Sequence, residues 1–422
     1  MQPADFLIEH AALIATCAGT APRRGRAQAD ISPLRHAVVA AHQGVIVYVG
    51  PAAELSGAIY VLPGATRIDA RGCTVVPGFV DPHTHLVFAG DRHDELQQRL
   101  AGISYETVAA GGGGIVATVA ATRNASADEL AAGARRRLDE MLACGTTTCE
   151  AKSGYGLTTE SELRQLRVLR SLDHDHPIDI VPTFLGAHDV PHEYRNRRDA
   201  YVSLVTQEMI PAVVSEGLAD WCDVFCERGV FTPAESRAIL RAGLAQGLLP
   251  RIHADELARS GGCEVAADVG ARSADHLIFA DTSGADRLAE ASVVAVLLPL
   301  AAFYLKLGRF APARMLIARD VPVALATDIN PGAGLSPSMP VVMAFACFAM
   351  DLTVEEALIA ATLNAAWSLD RAPLIGSLET GKLMDAVVVD GGLLELLRIG
   401  APAIRQVIKR GQVVASRERQ SS

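Results

Sequence analysis

The sequence predicts an α/β fold: a closed, TIM-like (β/α)8 barrel with a small discontinuous β-sandwich domain formed by both chain ends. Three observations carry this prediction. Short apolar runs alternate eight times with helix-patterned stretches through the middle of the chain, the rhythm of parallel strands joined by crossover helices. Both ends read instead as strands separated by turns. Polar, ligand-capable residues end nearly all of the central runs, and the C-terminal ends of its strands are where such a barrel keeps its chemistry.

The elements follow in order. Phe6 to Ala15, Ala37 to Ala41 and Gly44 to Val49 are short apolar runs, the last punctuated by Gly50-Pro51. The Arg-rich stretch from Thr20 to Ser32 reads as a surface loop. The eight central runs are Thr74 to Leu86, Gly145 to Ala151, Ile178 to Ala187, Asp220 to Glu227, Pro250 to Ala254, Ser273 to Ile278, Val293 to Leu298, and Val321 to Thr327. Helical patterns between them include Ala127 to Ala143, Glu160 to Leu172, Pro233 to Gln246 and Met315 to Arg319. A doubly wound open sheet is the rival, and its marker is a glycine fingerprint after an early strand. The Gly111 to Gly114 run does not follow a strand cleanly, so it reads as a loop or helix start. Ala386 to Val389, Ile404 to Lys409 and Gln412 to Val414 close the chain as strands. The expected division is a composite β domain of residues 1–70 plus 375–422 and a barrel of residues 71–374.

Composition bounds the function. Half of the 422 residues are hydrophobic and 20% are charged, which rules out disorder for most of the chain. The net charge of −10 argues against a nucleic-acid partner, which needs cations for phosphate. The longest apolar run, Val293 to Leu305, is broken by Pro299 and too short for a bilayer, so no membrane association is expected. Asp5 stands where a secretory signal carries positive charge, and eight cysteines in this length make no disulfide framework. A cytoplasmic chain is expected. Cys222 and Cys226 have a zinc-like C-x3-C spacing, but no second pair follows, and buried free thiols are the expectation. Trp221 and Trp367 read as packing residues.

The run endings point to a metal. His83 and His85 are two apart, so on a strand both face the same side. His253 ends the fifth run and Asp328 the eighth. Taken singly, His253 and Asp328 are ordinary loop residues; on one rim with the histidine pair they make a four-ligand set. Three histidines and a carboxylate suit one divalent catalytic ion, zinc or iron. Glu256, three residues after His253, can be a general acid–base or a helix-start acid, and position alone leaves these even. His276 faces inward if Asp275 faces out, and there it can meet a developing oxyanion; otherwise it is a buried, satisfied histidine.

VVPGFVDPHTHL, HADE, DHL and LATD, in this order and spacing, resemble the metal-dependent amidohydrolase superfamily. Within it the chain is similar to the imidazolonepropionase family, through HLVFAGDR (85–92), GGGI (112–115) with TVAATR (118–123), KSGYGL (152–157), FLGAH (184–188), HADE (253–256), and LATDINPG (325–332) with SMP (338–340). TLNAAWSL and GSLETGKLMDAVVVD extend the likeness into the C-terminal region. It departs at Ala333, where a hydroxyl residue is usual after NPG, at His93-Asp94, and at Leu300, where glycine is common.

The resemblance implies hydrolysis of the ring amide of 4-imidazolone-5-propanoate to N-formimidoyl-glutamate in histidine degradation. It implies catalytic roles for Glu256, His276 and Asp328, with His83, His85, His253 and Asp328 as metal ligands. Arg92 and Tyr155 would bind the propanoate, and His188 the imidazolone oxygen. Asn330, Gly332 and Ala333 would line the substrate site, with the Asn330 amide and the Gly332 N–H turned to it. The four-ligand set and the NPG pattern favour one metal over a lysine-bridged pair, so Lys152 is not assigned as a ligand. A homodimer is implied by the resemblance alone. Two rival readings remain: a cytosine- or guanine-type deaminase, because HADE also resembles their signature, and a catalytically inert barrel used as a scaffold.

Overall fold

Strand-forming residues at both chain ends build two sheets around the barrel's flank. The computed structural model describes residues 1–103, 113–400 and 403–417. The chain opens with β1 (Gln2–Glu9), β2 (Leu13–Ala15), β3 (Pro33–Leu34), β4 (Ala37–His42), β5 (Val45–Pro51), β6 (Ile59–Asp69) and β7 (Cys73–Pro77). The barrel follows as β8 (Phe79–Asp81), β9 (Thr146–Lys152), β10 (Asp179–Ala187), β11 (Trp221–Cys226), β12 (Leu249–Ala254), β13 (Ser273–His276), β14 (Val294–Leu297) and β15 (Val323–Leu325). The chain ends with β16 (Ala386–Asp390), β17 (Ile404–Lys409) and β18 (Gln412–Ser416).

The end strands form a four-stranded sheet in the order β5-β4-β1-β6 and a six-stranded sheet in the order β18-β17-β16-β7-β2-β3. Their facing sides share one core. Phe6, Ile8, Val39 and Ile68 come from the first sheet and Ile14, Val75, Val388 and Ile408 from the second, so the two pack as a sandwich. β7 pairs antiparallel with β16, so the six-stranded sheet reaches past residue 70 to Pro77. The apolar run from Thr74 to Leu86 is therefore two strands in two sheets. The break is Gly78, where a Cβ would collide with the Thr147 side chain.

The eight barrel strands are parallel and sequential, β8 to β15. Hydrogen bonds beyond the last ladder residues close the seam between β15 and β8. Asp328 N–H donates to His83 O at 3.1 Å and His85 N–H to Ile329 O at 2.9 Å. Asp81 accepts the Thr327 N–H at 3.1 Å and its hydroxyl at 2.5 Å. Two of the expected helices start where the sequence places them, and the other two start earlier than expected, at Thr159 and Ala313. Ser126 with Glu129, and Thr232 with Glu235, form capping boxes opening the helices Ala127–Ala143 and Pro233–Ala245. Gly114 caps the helix Ile115–Asn124 at φ 73, so this end of the glycine run is a helix start; Gly111 and Gly112 lie outside the described residues. Cys222 and Cys226 are buried free thiols in β11. Among the described residues no helix is long and apolar enough to cross a membrane.

Candidate metal centre and active site

His83 and His85 lie beyond the three residues of β8, in extended chain held by the seam rather than by a ladder. His253 comes from β12 and Asp328 follows β15. One ligand atom each from His83, His85 and His253 lie within 4.8 Å of one another. Asp328 Oδ1 is 3.6 Å from Nε2 of both His83 and His85. All four side chains are buried.

Each tautomer is set from behind. His83 Nδ1–H donates to Asp275 Oδ2 at 2.6 Å and His253 Nδ1–H to Asp223 Oδ1 at 3.1 Å, since the carboxylates can only accept. Nε2 of His83 and of His253 is then a bare lone pair, buried and without a hydrogen-bond partner among the described residues. Burial holds the His83 and His85 imidazoles well below their usual pKa, so they stand neutral. Neutral imidazoles with orphaned acceptor nitrogens beside a carboxylate fit a divalent cation, and carboxylates behind the ligands are the usual orienting groups.

The orienting carboxylates are themselves neutralised. Asp223 pairs with Lys152 at 2.9 Å, which also meets Glu150 at 2.8 Å. Asp275 pairs with Arg251 at 3.3 Å, whose guanidinium also donates to Pro82 O and Ser368 O. Burial alone would lower the Lys152 pKa, but Asp223 and Glu150 hold it above its usual value. Lys152 is thus a charged partner of two barrel carboxylates.

His276 faces in as expected, but Asp275, expected to face out, faces in as well. Asp275 reaches His83, and His276 lines the cavity. Strand alternation fails because His276 has φ 76, where the strand ends and the side chain is re-aimed. Its Nδ1 lies 3.5 Å from Glu256 Oε1.

Glu256 also lines the cavity, and its helix-start alternative is filled by a neighbour. Asp255 accepts the backbone N–H groups of Ser260, Gly261, Gly262 and Cys263, at the start of the helix Gly262–Val269. Burial, reinforced by the nearby Asp328 and Glu227 charges, pushes the Glu256 carboxyl well above its ordinary range. Burial likewise raises Asp328 to about 7. Glu227 pins the Glu256 loop by accepting Leu257 N–H at 2.8 Å and the Ser260 hydroxyl.

The cavity is walled by His85, His253, Asp328, Glu256 and His276 on one side. Arg92, Tyr155, His188, Asn330, Gly332 and Ala333 line the rest, with apolar contributions from Ile115, Phe225, Leu257 and Leu305. His188 stacks on His85 with centroids 5.0 Å apart. Its Nδ1–H donates to Gly154 O at 3.0 Å, so Nε2 is an acceptor; burial lowers its pKa to about 3. Tyr155 packs against His85 and His188. Glu162 fixes its loop by accepting the N–H groups of Gly154, Gly156 and Leu157. One expectation is not met: the Asn330 amide is turned into its own loop. It accepts Gly332 N–H at 2.8 Å and Ala333 N–H at 2.7 Å and donates to Asp328 O at 2.7 Å. Asn330 therefore shapes the wall, and the Gly332 N–H is already taken.

Comparison with known proteins shows the family. The family model described as "Amidohydrolase family" matches residues 74–414. An imidazolonepropionase of Geobacillus thermodenitrificans is 49% identical over 97% of this chain and 98% of its own length. The chain belongs to the amidohydrolase family, in its imidazolonepropionase branch. An imidazolonepropionase of Bacteroides fragilis is 46% identical over 98% of this chain and 99% of its own. Among solved structures, a triazine hydrolase variant superposes with a TM-score of 0.73 at 17% identity, covering 99% of this chain and 96% of that one. A zinc-bound adenosine deaminase of Xanthomonas campestris superposes at 0.69 and 20% identity, covering 98% and 93%. At those identities the likeness shows the shared barrel-and-sandwich fold.

For this member of the imidazolonepropionase branch, sequence reasoning named the polar side chains that line the cavity and missed its apolar wall of Ile115, Phe225, Leu257 and Leu305 and the charged residues behind it. Asp223, Asp275, Arg251, Glu227 and Glu162 were not singled out. A signal existed for Asp223 and Arg251. A charged residue inside a strand whose neighbours are apolar on both sides must be paired within the barrel.

Proposed function

We propose that this chain opens the ring amide of 4-imidazolone-5-propanoate to give N-formimidoyl-glutamate, as the imidazolonepropionase relatives are named for doing. The observation that carries the reading is the single cavity that brings a buried cation-type ligand set, an uncharged Glu256 and the Arg92 guanidinium together. A divalent ion, zinc or iron, held by His83, His85, His253 and Asp328 would supply an acidified water as nucleophile at neutral pH. Asp328, beside His83 and His85, would be placed to orient such a water and to accept its proton. Glu256, protonated, delivers a proton to the departing ring nitrogen. His276 donates to the oxyanion that develops as the carbonyl is attacked. Arg92 binds the propanoate through its planar fork, with Tyr155 beside it. His188, an acceptor at Nε2, reads a ring N–H rather than the imidazolone oxygen.

The reading extends to a cytoplasmic location, supported by the eight free cysteines, and to no nucleic-acid partner, supported by the acidic balance; a homodimer rests on the family resemblance alone. The test is ultraviolet monitoring of imidazolonepropanoate with the metal-loaded and chelator-stripped protein, with free ammonia assayed in parallel. Metal-dependent loss of the ring chromophore without ammonia supports the reading. Ammonia release points to the deaminase alternative, and no turnover to a binding scaffold.

A further inference from the structure

The hydrogen bond that holds Arg92 is to a hydroxyl, with the Glu95 carboxylate only at the outer reach of an ion pair. Arg92 Nε–H donates to Thr118 Oγ1 at 2.9 Å. Glu95, its obvious counter-ion three residues on, stays 4.0 Å away and accepts Gly114 N–H at 2.6 Å instead. Among the described residues Arg92 Nη2 has no hydrogen-bond partner, although the side chain is only 6% exposed. A guanidinium is planar, so fixing Nε and one flank fixes where the remaining N–H groups point. The flank is Gly332, where a Cβ would collide with Nη1.

The helix Ile115–Asn124 is arranged to offer this hydroxyl. Thr118 and Thr122 stand one turn apart on one face, and both are buried. Thr122 Oγ1 accepts Ala89 N–H at 3.2 Å, so two hydroxyls clasp the segment 89–92. β-branched residues lower helix propensity, and here each brings an acceptor to the segment that carries Arg92.

We infer that Thr118 is the positioning residue that sets the carboxylate selectivity of the cavity. It aims the Arg92 fork through Nε and, being neutral, leaves the guanidinium charge for a ligand carboxylate. This rests on the reading of Arg92 as the carboxylate binder, so the two are tested together. Thr118→Val deletes the acceptor at nearly constant shape, Thr118→Ala deletes it with a smaller side chain, and Thr118→Ser keeps it. Each variant and Arg92→Ala is assayed on imidazolonepropanoate and on the analogue whose propanoate is amidated.

The expected result for Thr118→Val and Thr118→Ala is a KM for the acid raised about tenfold, the scale of one charge-assisted hydrogen bond, with kcat within about twofold of wild type. Both variants should leave the amide's kinetics unchanged, and Thr118→Ser should restore the acid's KM. If Arg92→Ala weakens the acid but neither hydroxyl deletion does, the positioning role is overturned and the Arg92 reading stands. If Arg92→Ala spares the acid, both fall. If the deletions penalise acid and amide alike, or lower kcat, Thr118 only supports the fold and the inference is wrong.

Discussion

Asp223 is asked for two acceptors at once, by His253 Nδ1–H and by the Lys152 ammonium. Asparagine offers one acceptor oxygen, so Asp223→Asn leaves one donor facing an amide N–H group. The variant should fold and bind zinc 10–100-fold more weakly, the usual cost of losing an orienting partner behind a ligand; competition with a chromogenic chelator measures it. Glu256 has no such structural duty, because Asp255 does the helix-start work and Glu227 holds the loop. Glu256→Gln should therefore keep metal and melting temperature while losing roughly 10²–10⁴ in kcat. A wild-type kcat would pass the proton shuttle to His276 or Asp328. The sequence made Glu256 and the four candidate cation ligands visible because each lies at the end of an apolar run. Asp275 escaped because alternation, applied through a strand end, assigned it to the wrong face. The left-handed φ at His276 is a backbone property that no spacing rule shows.

At the scale of elements, periodicity located eight barrel strands but not the join between domains. Val75 to Val80 is apolar throughout, because both strands it spans are buried, and an unbroken run carries no alternation to mark a break. Gly78 was the available signal, and close backbone approach to Thr147 is its reason. β11 poses the opposite case, since its C-x3-C spacing looks like a metal pair and is not one. Burial pushes the Cys226 thiol to about 11 and raises Cys222 further, so neither is a thiolate at neutral pH. A thiol-specific chromogenic reagent should leave both unlabelled in the native protein and react slowly with the half-buried Cys144 and Cys347. All eight should react in urea. Rapid native labelling of Cys222 and Cys226 together, with release of zinc, would contradict this.

At the scale of the molecule, closure and chemistry are the same event. The seam that joins the last strand to the first is made by the backbones of His83, His85, Asp328 and Ile329. Closing the fold therefore brings three of the four candidate ligands, His83, His85 and Asp328, onto one seam, and a bound ion should tie the seam further. Stripping the metal should lower the melting temperature, and excess zinc should raise it with ligand concentration, as any ligand of the folded state does. The barrel and its two-ended sandwich were legible because strand–helix alternation and terminal strands are patterns of composition. The seam was not, because it joins residues over two hundred positions apart through backbone groups. The net charge of −10 adds one constraint: an anionic substrate must be recognised locally, which places the burden on Arg92.

The most direct measurement is mass spectrometry of the product formed from imidazolonepropanoate in heavy-oxygen water. Ring-amide hydrolysis predicts a product that keeps both ring nitrogens and gains one water, with one heavy oxygen in the new carboxylate. A product that has lost a nitrogen as ammonia, or an unlabelled one, would contradict the account.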